Sequence, residues 1–348
     1  MVPTTAVRAT IVASVSDLDH VATSLDVIGT NLLLALVLML AIGLTSALFN
    51  ATLKENRPEI DGWFDRMSRR ALVIARPLVG FLRFRRLPVS MTGRAGALTR
   101  FAIILALTGL IYGFLSPDFG LDGRSAIVFI SMLVGIGIVT YLAEGGTVLI
   151  SNRRLHVPAG IRLYGAALAI AIGSVVISRV IDFKPGVLYG FIASAVLLVP
   201  VSLERRQAAE SVLIPTILLL AASLTAWLLL LPLRAAHPGA DSWGLGLLEA
   251  VAAIVFVAGL EGAFFNMVPI DFMDGATIAR WNWGVWAVMF LASGFLFWHL
   301  LLNQNQSYLE ALGNTKVVAA FAVVAVFSLA TVLLWSYFHL ARRRVAQA

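Results

Sequence analysis

Polar and apolar positions along the chain separate into long apolar runs divided by short charged segments. Runs of about 20 apolar residues, the length that carries a helix through the hydrocarbon core of a bilayer, or slightly fewer, begin near residues 28, 99, 124, 159, 186, 210, 243, 282 and 316. They predict nine transmembrane helices. The run at 186–202 is short, but it follows Lys184-Pro185-Gly186, a stop for one helix before the start of the next. A further apolar stretch, Ala71 to Phe84, has only 14 residues and contains Arg76, Pro77 and Arg83. A central arginine costs roughly 2.5–3.5 kcal/mol on insertion, so this stretch predicts a helix lying in the interface with its arginine stems reaching toward headgroups. The pattern implies an all-α fold: a polytopic membrane helix bundle of about nine spans plus an interfacial amphipathic helix. The expected order is an external tail (1–27), a first span (28–50), a basic cytoplasmic segment holding the interfacial helix (51–98), an eight-span bundle (99–341) and a basic cytoplasmic tail (342–348).

Composition supports lipid as the solvent. Of 348 residues 59% are hydrophobic and 13% charged, against about a quarter charged in a soluble domain, which excludes a water-soluble globular enzyme. With no cysteine, disulfides, thiol nucleophiles, thiolate metal sites and iron–sulfur clusters are excluded too. Segment 51–98 has too few apolar anchors to build a core of its own. The first 27 residues lack the basic start and early apolar run of a signal peptide.

The net charge of +7 is spread between apolar runs rather than gathered in one module, so no nucleic-acid partner is expected. It reads instead as a topology code. With the N-terminus outside and nine spans, 20 lysines and arginines fall in cytoplasmic segments and 5 in outer ones, as the positive-inside rule requires. The chain is thus expected in the cytoplasmic (plasma) membrane, multi-pass, with its C-terminus inside. Anionic lipid headgroups are the expected partner of the basic residues within 66–86.

Ionisable groups within spans are costly and are candidates for function. Glu144 lies in Leu142-Ala143-Glu144-Gly145-Gly146 at the end of the third span, Glu249 and Glu261 in the seventh, His299 late in the eighth. Glu249 is expected to reach headgroups or Arg234, and His299 to be interfacial or hydrogen-bonded. The most distinctive stretch runs from Glu261 through Asn266, Pro269, Asp271, Asp274 and Gly275. Pro269 removes a backbone donor, Asn266 offers a replacement, and Asp274-Gly275 supplies a turn. A break at membrane depth is tolerated only where it is buried in protein or lines a wet cavity.

Asn266-Met267-Val268-Pro269 followed by Asp274-Gly275 resembles the Asn-x-x-Pro-x(4)-Asp-Gly motif of site-2 proteases, the intramembrane zinc metalloproteases. The resemblance implies Asp274 as a zinc ligand and a loop shaped by Asn266 and Pro269. The family's other ligands come from a His-Glu-x-x-His helix. Here the matching stretch is Ala143-Glu144-Gly145-Gly146-Thr147, with Ala143 and Thr147 at the ligand positions and Glu144 at that of the base. His156 follows nine residues later in a basic loop. The chain therefore resembles a proteolytically inactive relative, for which no cofactor is expected; zinc, on Asp274 with His156 as the further candidate, is the metal the resemblance would imply.

Three functions stay open. One is a non-catalytic core that binds a transmembrane segment or small partner at a cytoplasmic-side cleft lined by Glu144, Glu261, Asn266, Pro269, Asp271, Asp274 and Gly275. Another is a transporter or channel built on the broken seventh span, with Glu261 as its deep acid. The last is a metal-dependent peptidase with atypical oxygen-rich ligands.

Overall fold

The structure, a computed structural model, describes residues 15, 21–63, 66, 93–116, 119–163, 166–180, 188, 193–236 and 243–346. The interfacial helix expected over 71–84, nearly all of the lipid-attracting segment 66–86 and most of the external tail lie outside the described residues.

Eleven helices and two strands are described, in the order α1 (Leu25–Glu55), α2 (Gly93–Gly113), α3 (Gly123–Thr140), α4 (Gly146–Arg153), β1 (Ala159–Leu163), α5 (Ala166–Val180), β2 (Ala193–Leu197), α6 (Arg205–Ala236), α7 (Trp243–Asn266), α8 (Asp274–Trp281), α9 (Trp283–Phe297), α10 (Tyr308–Leu312) and α11 (Thr315–Ala346). A π-helical turn, Tyr141–Gly145, joins α3 to α4, and a second, Trp298–Leu302, extends α9. Among the described residues six helical stretches are long and apolar enough to cross a bilayer: α1, Ser125–Arg153, α6, α7, Trp283–Leu302 and Thr315–Leu340. The protein is a polytopic helical membrane protein. Phe101–Gly113 and Ala171–Val180 are shorter apolar helices.

The run at 186–202 is not a helix where it is described. Ala193–Leu197 forms β2, which pairs antiparallel with β1 in the register Ala159↔Leu197 to Leu163↔Ala193. The start of the fourth predicted span is likewise a strand. A short unbroken apolar run has no periodicity with which to choose between helix and strand, and the bundle is therefore not purely α. The chain still returns to its starting side: Arg179, near the end of α5, donates to the Phe114 carbonyl beyond α2 at 3.0 Å, whereas Ala193 is already beside Leu163 at the start of α5.

The core is organised on α7, which is apolar on every face and buried almost continuously from Glu249 to Phe264, the signature of a central helix. It packs between α6 and α3. Both crossings need glycine. A Cβ on Gly259 of α7 would collide with Ser223 Oγ of α6, and one on Gly135 of α3 would press into the Ile254 side chain of α7. Close backbone approach of this kind drives helix association where lipid supplies no hydrophobic force.

Polar bonds secure the periphery. Asn31 of α1 donates to His299 Nδ1 at 2.9 Å and to the Asn303 carbonyl at 2.8 Å, while Asn303 Nδ2 donates back to Asn31 Oδ1 at 2.8 Å. His299 is thus the hydrogen-bonded histidine its position suggests. Arg234 and Glu249 form the expected pair, Nε to Oε1 at 3.3 Å and almost wholly covered.

The ends of α1, α4 and α7 gather with the starts of α6 and α9 at one end of the bundle. Arg154 bridges to Glu210 of α6 at 3.2 Å, Asn50 of α1 bonds the loop after α7, and α8 packs on α6. This end also carries Lys54, Arg153, Arg205, Arg206 and Arg280.

Gly135→Ala is expected to destabilise the bundle by about 1–3 kcal/mol, the usual cost of overpacking, as a lowered Tm in detergent. Combining it with Ile254→Ala should recover part of that loss; a full additive loss would show that the Gly135 crossing is not the tight point.

Candidate functional site

The site residues come from three elements that meet at the basic end of the bundle. The π turn carries Glu144, the last turns of α7 carry Glu261 and Asn266, and the loop into α8 carries Pro269 and Asp271; the turn expected at Asp274-Gly275 falls at 271–273, and these two residues open α8. A π turn inserts an extra residue into the helical repeat and re-aims the side chains that follow. Gly146, just after it, lies against Pro215 of α6, where a Cβ would come within 3.1 Å of the proline ring.

The loop is built on its own backbone. Phe264 and Phe265 carbonyls accept from Met267 and Val268, the Val268 carbonyl from Ile270, and the Ile270 carbonyl from Met273 at 2.7 Å. The Met267 carbonyl, freed as α7 ends, accepts from the Trp286 indole at 2.8 Å. Gly275 is required because any Cβ there would strike the Met267 carbonyl. Asn50 then pins the outer side, its Nδ2 donating to the Pro269 carbonyl at 2.8 Å and its Oδ1 accepting from the Asp271 N–H at 3.0 Å. The proline thus contributes an acceptor where it lacks a donor.

Asn266 Nδ2 donates to Asp274 Oδ2 at 3.2 Å, so the two polar residues of the motif bond directly. The Glu144 and Asp274 carboxyl groups lie close enough for their charges to repel. Burial pushes the Asp274 carboxyl up from 3.8 to about 6. Asp271 turns to the surface and pairs with Arg280 at 3.4 Å. His156 is exposed in the turn between α4 and β1, with φ of 55°.

The protein's own main chain meets both acids, Glu144 and Glu261. Glu144 Oε2 accepts the backbone N–H of Ala195 in β2 at 2.6 Å. Glu261, 1% exposed, accepts the N–H of the fully buried Leu188 at 2.6 Å. Two carboxylates from neighbouring spans therefore hold two peptide N–H groups of one segment. Thr147, where a ligating histidine would stand, instead donates its hydroxyl to the Ala143 carbonyl at 3.1 Å. Among the described residues no three His, Cys, Asp or Glu side chains converge as ligands. This donor set does not fit a catalytic zinc, which takes three protein ligands, and no chemical step is assigned to one.

Asn50 carries no motif, and the backbone donors Leu188 and Ala195 carry no side-chain signal. The only trace of Asn50 in the sequence is an amide near the end of an apolar run. Comparison of the chain with protein-family models, with curated proteins and with solved structures returns no match.

Glu261→Ala strands the Leu188 N–H in a buried site and is expected to cost about 1–3 kcal/mol. Glu261→Gln, which keeps an acceptor oxygen, should cost less, with Tm in detergent as the measure. Asp274 binds its proton more tightly in the folded protein than in the unfolded chain, so its contribution to stability is lost as pH rises from 3.8 through about 6. Asp274→Asn should therefore raise Tm relative to wild type at about pH 8 and not at about pH 4; equal offsets at both would contradict the assignment.

Proposed function

We propose that this protein is a non-catalytic membrane protein with a site-2-protease-like core, which binds a partner's transmembrane segment at the outer edge of the two-stranded sheet whose other edge is held by Glu144. The observation that carries the reading is the pair of carboxylate bonds to Ala195 and Leu188. Both acids bind main chain rather than particular side chains, and both are filled by the protein's own N–H groups, so a partner's backbone would meet the open edge of the sheet instead.

The sheet offers a place for the partner. In an antiparallel pair, residues opposite one another alternate between turning their N–H and C=O groups inward and outward. Ala195 turns its N–H out to Glu144, so its opposite number, Ile161, turns its own groups to the outer edge of β1. Two residues earlier on that edge Asn152 bonds both polar groups of Ala159, at 2.7 and 3.3 Å. Ile161 is 44% exposed. A partner that unwinds locally can add to this edge through backbone bonds. The basic residues gathered at this end support its placement on the cytoplasmic face of the plasma membrane, with the N-terminus outside.

A photo-crosslinking residue at Ile161 should capture a membrane protein that the same residue at the lipid-facing Leu329 does not. Identical products from both positions would overturn the docking site. Stoichiometric zinc in the purified protein, with cleavage of a membrane-embedded peptide lost in Asp274→Asn, would overturn the non-catalytic reading.

A further inference from the structure

A groove of about 410 Å³ opens between α1 and α9 on the side of the Pro269 loop where Asp271 emerges. Its floor is hydrocarbon, with Leu40 and Leu44 of α1 50% and 74% exposed. Its mouth is polar, formed by Asn50, Asp271 and Arg280. Trp283, the first residue of α9, stands exposed beside it, as tryptophans do at the level of lipid headgroups.

The floor of the groove faces the bilayer, since Leu40 and Leu44 lie exposed on a membrane-spanning helix. A single acyl chain is the apolar occupant that the bilayer itself supplies there. From Asn50 at the mouth to Met39 at the inner end is eleven residues of α1, about 16 Å along the helix axis, a depth suited to the upper part of a lipid tail.

The charges choose the headgroup. Arg280 Nη1 lies 3.4 Å from Asp271 Oδ1, and the two side chains are 55% and 51% exposed. This one contact leaves most of the five guanidinium donors and a second carboxylate oxygen open to a ligand. Cation and anion side by side match a headgroup that presents a phosphate next to an ammonium. We propose that the groove binds a bilayer glycerophospholipid with a primary-ammonium headgroup, the phosphate on Arg280, the ammonium on Asp271 and one acyl chain along Leu40 and Leu44. An anionic lipid would place its phosphate on Arg280 but leave Asp271 without a cation of the headgroup to pair with.

Native mass spectrometry of the intact protein, released from nanodiscs of phosphatidylethanolamine and phosphatidylglycerol in equal amounts, tests the site. Wild type should retain one phosphatidylethanolamine in several-fold excess over phosphatidylglycerol. Asp271→Asn should abolish that preference, and Arg280→Ala should lower retention about tenfold. Leu44→Trp, which fills the groove and leaves the ion pair intact, should also lower retention while preserving Tm. Retention of the two lipids in their bulk proportion by wild type, a preference for phosphatidylglycerol, or retention unchanged in Leu44→Trp would each overturn the proposal.

Discussion

A peptide N–H in hydrocarbon must find an acceptor, because leaving it unpaired costs several kcal/mol. Helices meet this requirement internally. Leu188 and β2 lie outside any helix and cannot, and the architecture around them answers the need. β1 supplies one row of partners, Glu144 takes the N–H of Ala195, and Glu261 takes that of Leu188. The dependence is mutual, since a carboxylate within a span is tolerable only with donors to face. Helix, strand and acid thus justify one another.

That arrangement demands accurate placement of α7, which carries Glu261 and ends in the loop with Asp274. Gly259 and Gly135 let α6 and α3 close on it, and the π turn in the chain from α3 to α4 directs Glu144 at the strand. The loop beyond α7 is fixed from two sides, by the Trp286 indole on the Met267 carbonyl and by Asn50 on the Pro269 carbonyl and Asp271 N–H. Asn50 belongs to the first helix, so the whole length of the sequence contributes to one short turn.

The same loop has two chemically different sides. Toward α3 it presents Asn266 and Asp274, bonded to each other, with the Asp274 carboxyl near that of Glu144. Toward α1 it presents Pro269 and Asp271, backed by an apolar groove and tied to Arg280.

The sequence by itself determined that lipid is the solvent, because hydrophobic length and sparse charge are properties of single segments. It also marked the break after α7 at Pro269, because a missing backbone donor is visible in a row of letters; that Asn266 bonds the Asp274 carboxyl rather than a freed carbonyl was not. The pairing of Arg234 with Glu249 was legible too, as two costly charges near one surface. Tertiary structure alone decided that the run at 186–202 contributes a strand, because an unbroken apolar run fits either state and only the presence of β1 and two acceptors selects one. It alone decided the role of Asn50, 219 positions from Pro269, and separated Asp271 from Asp274. A hydrogen bond between distant residues leaves no pattern in a sequence; it exists only once packing has brought donor and acceptor together.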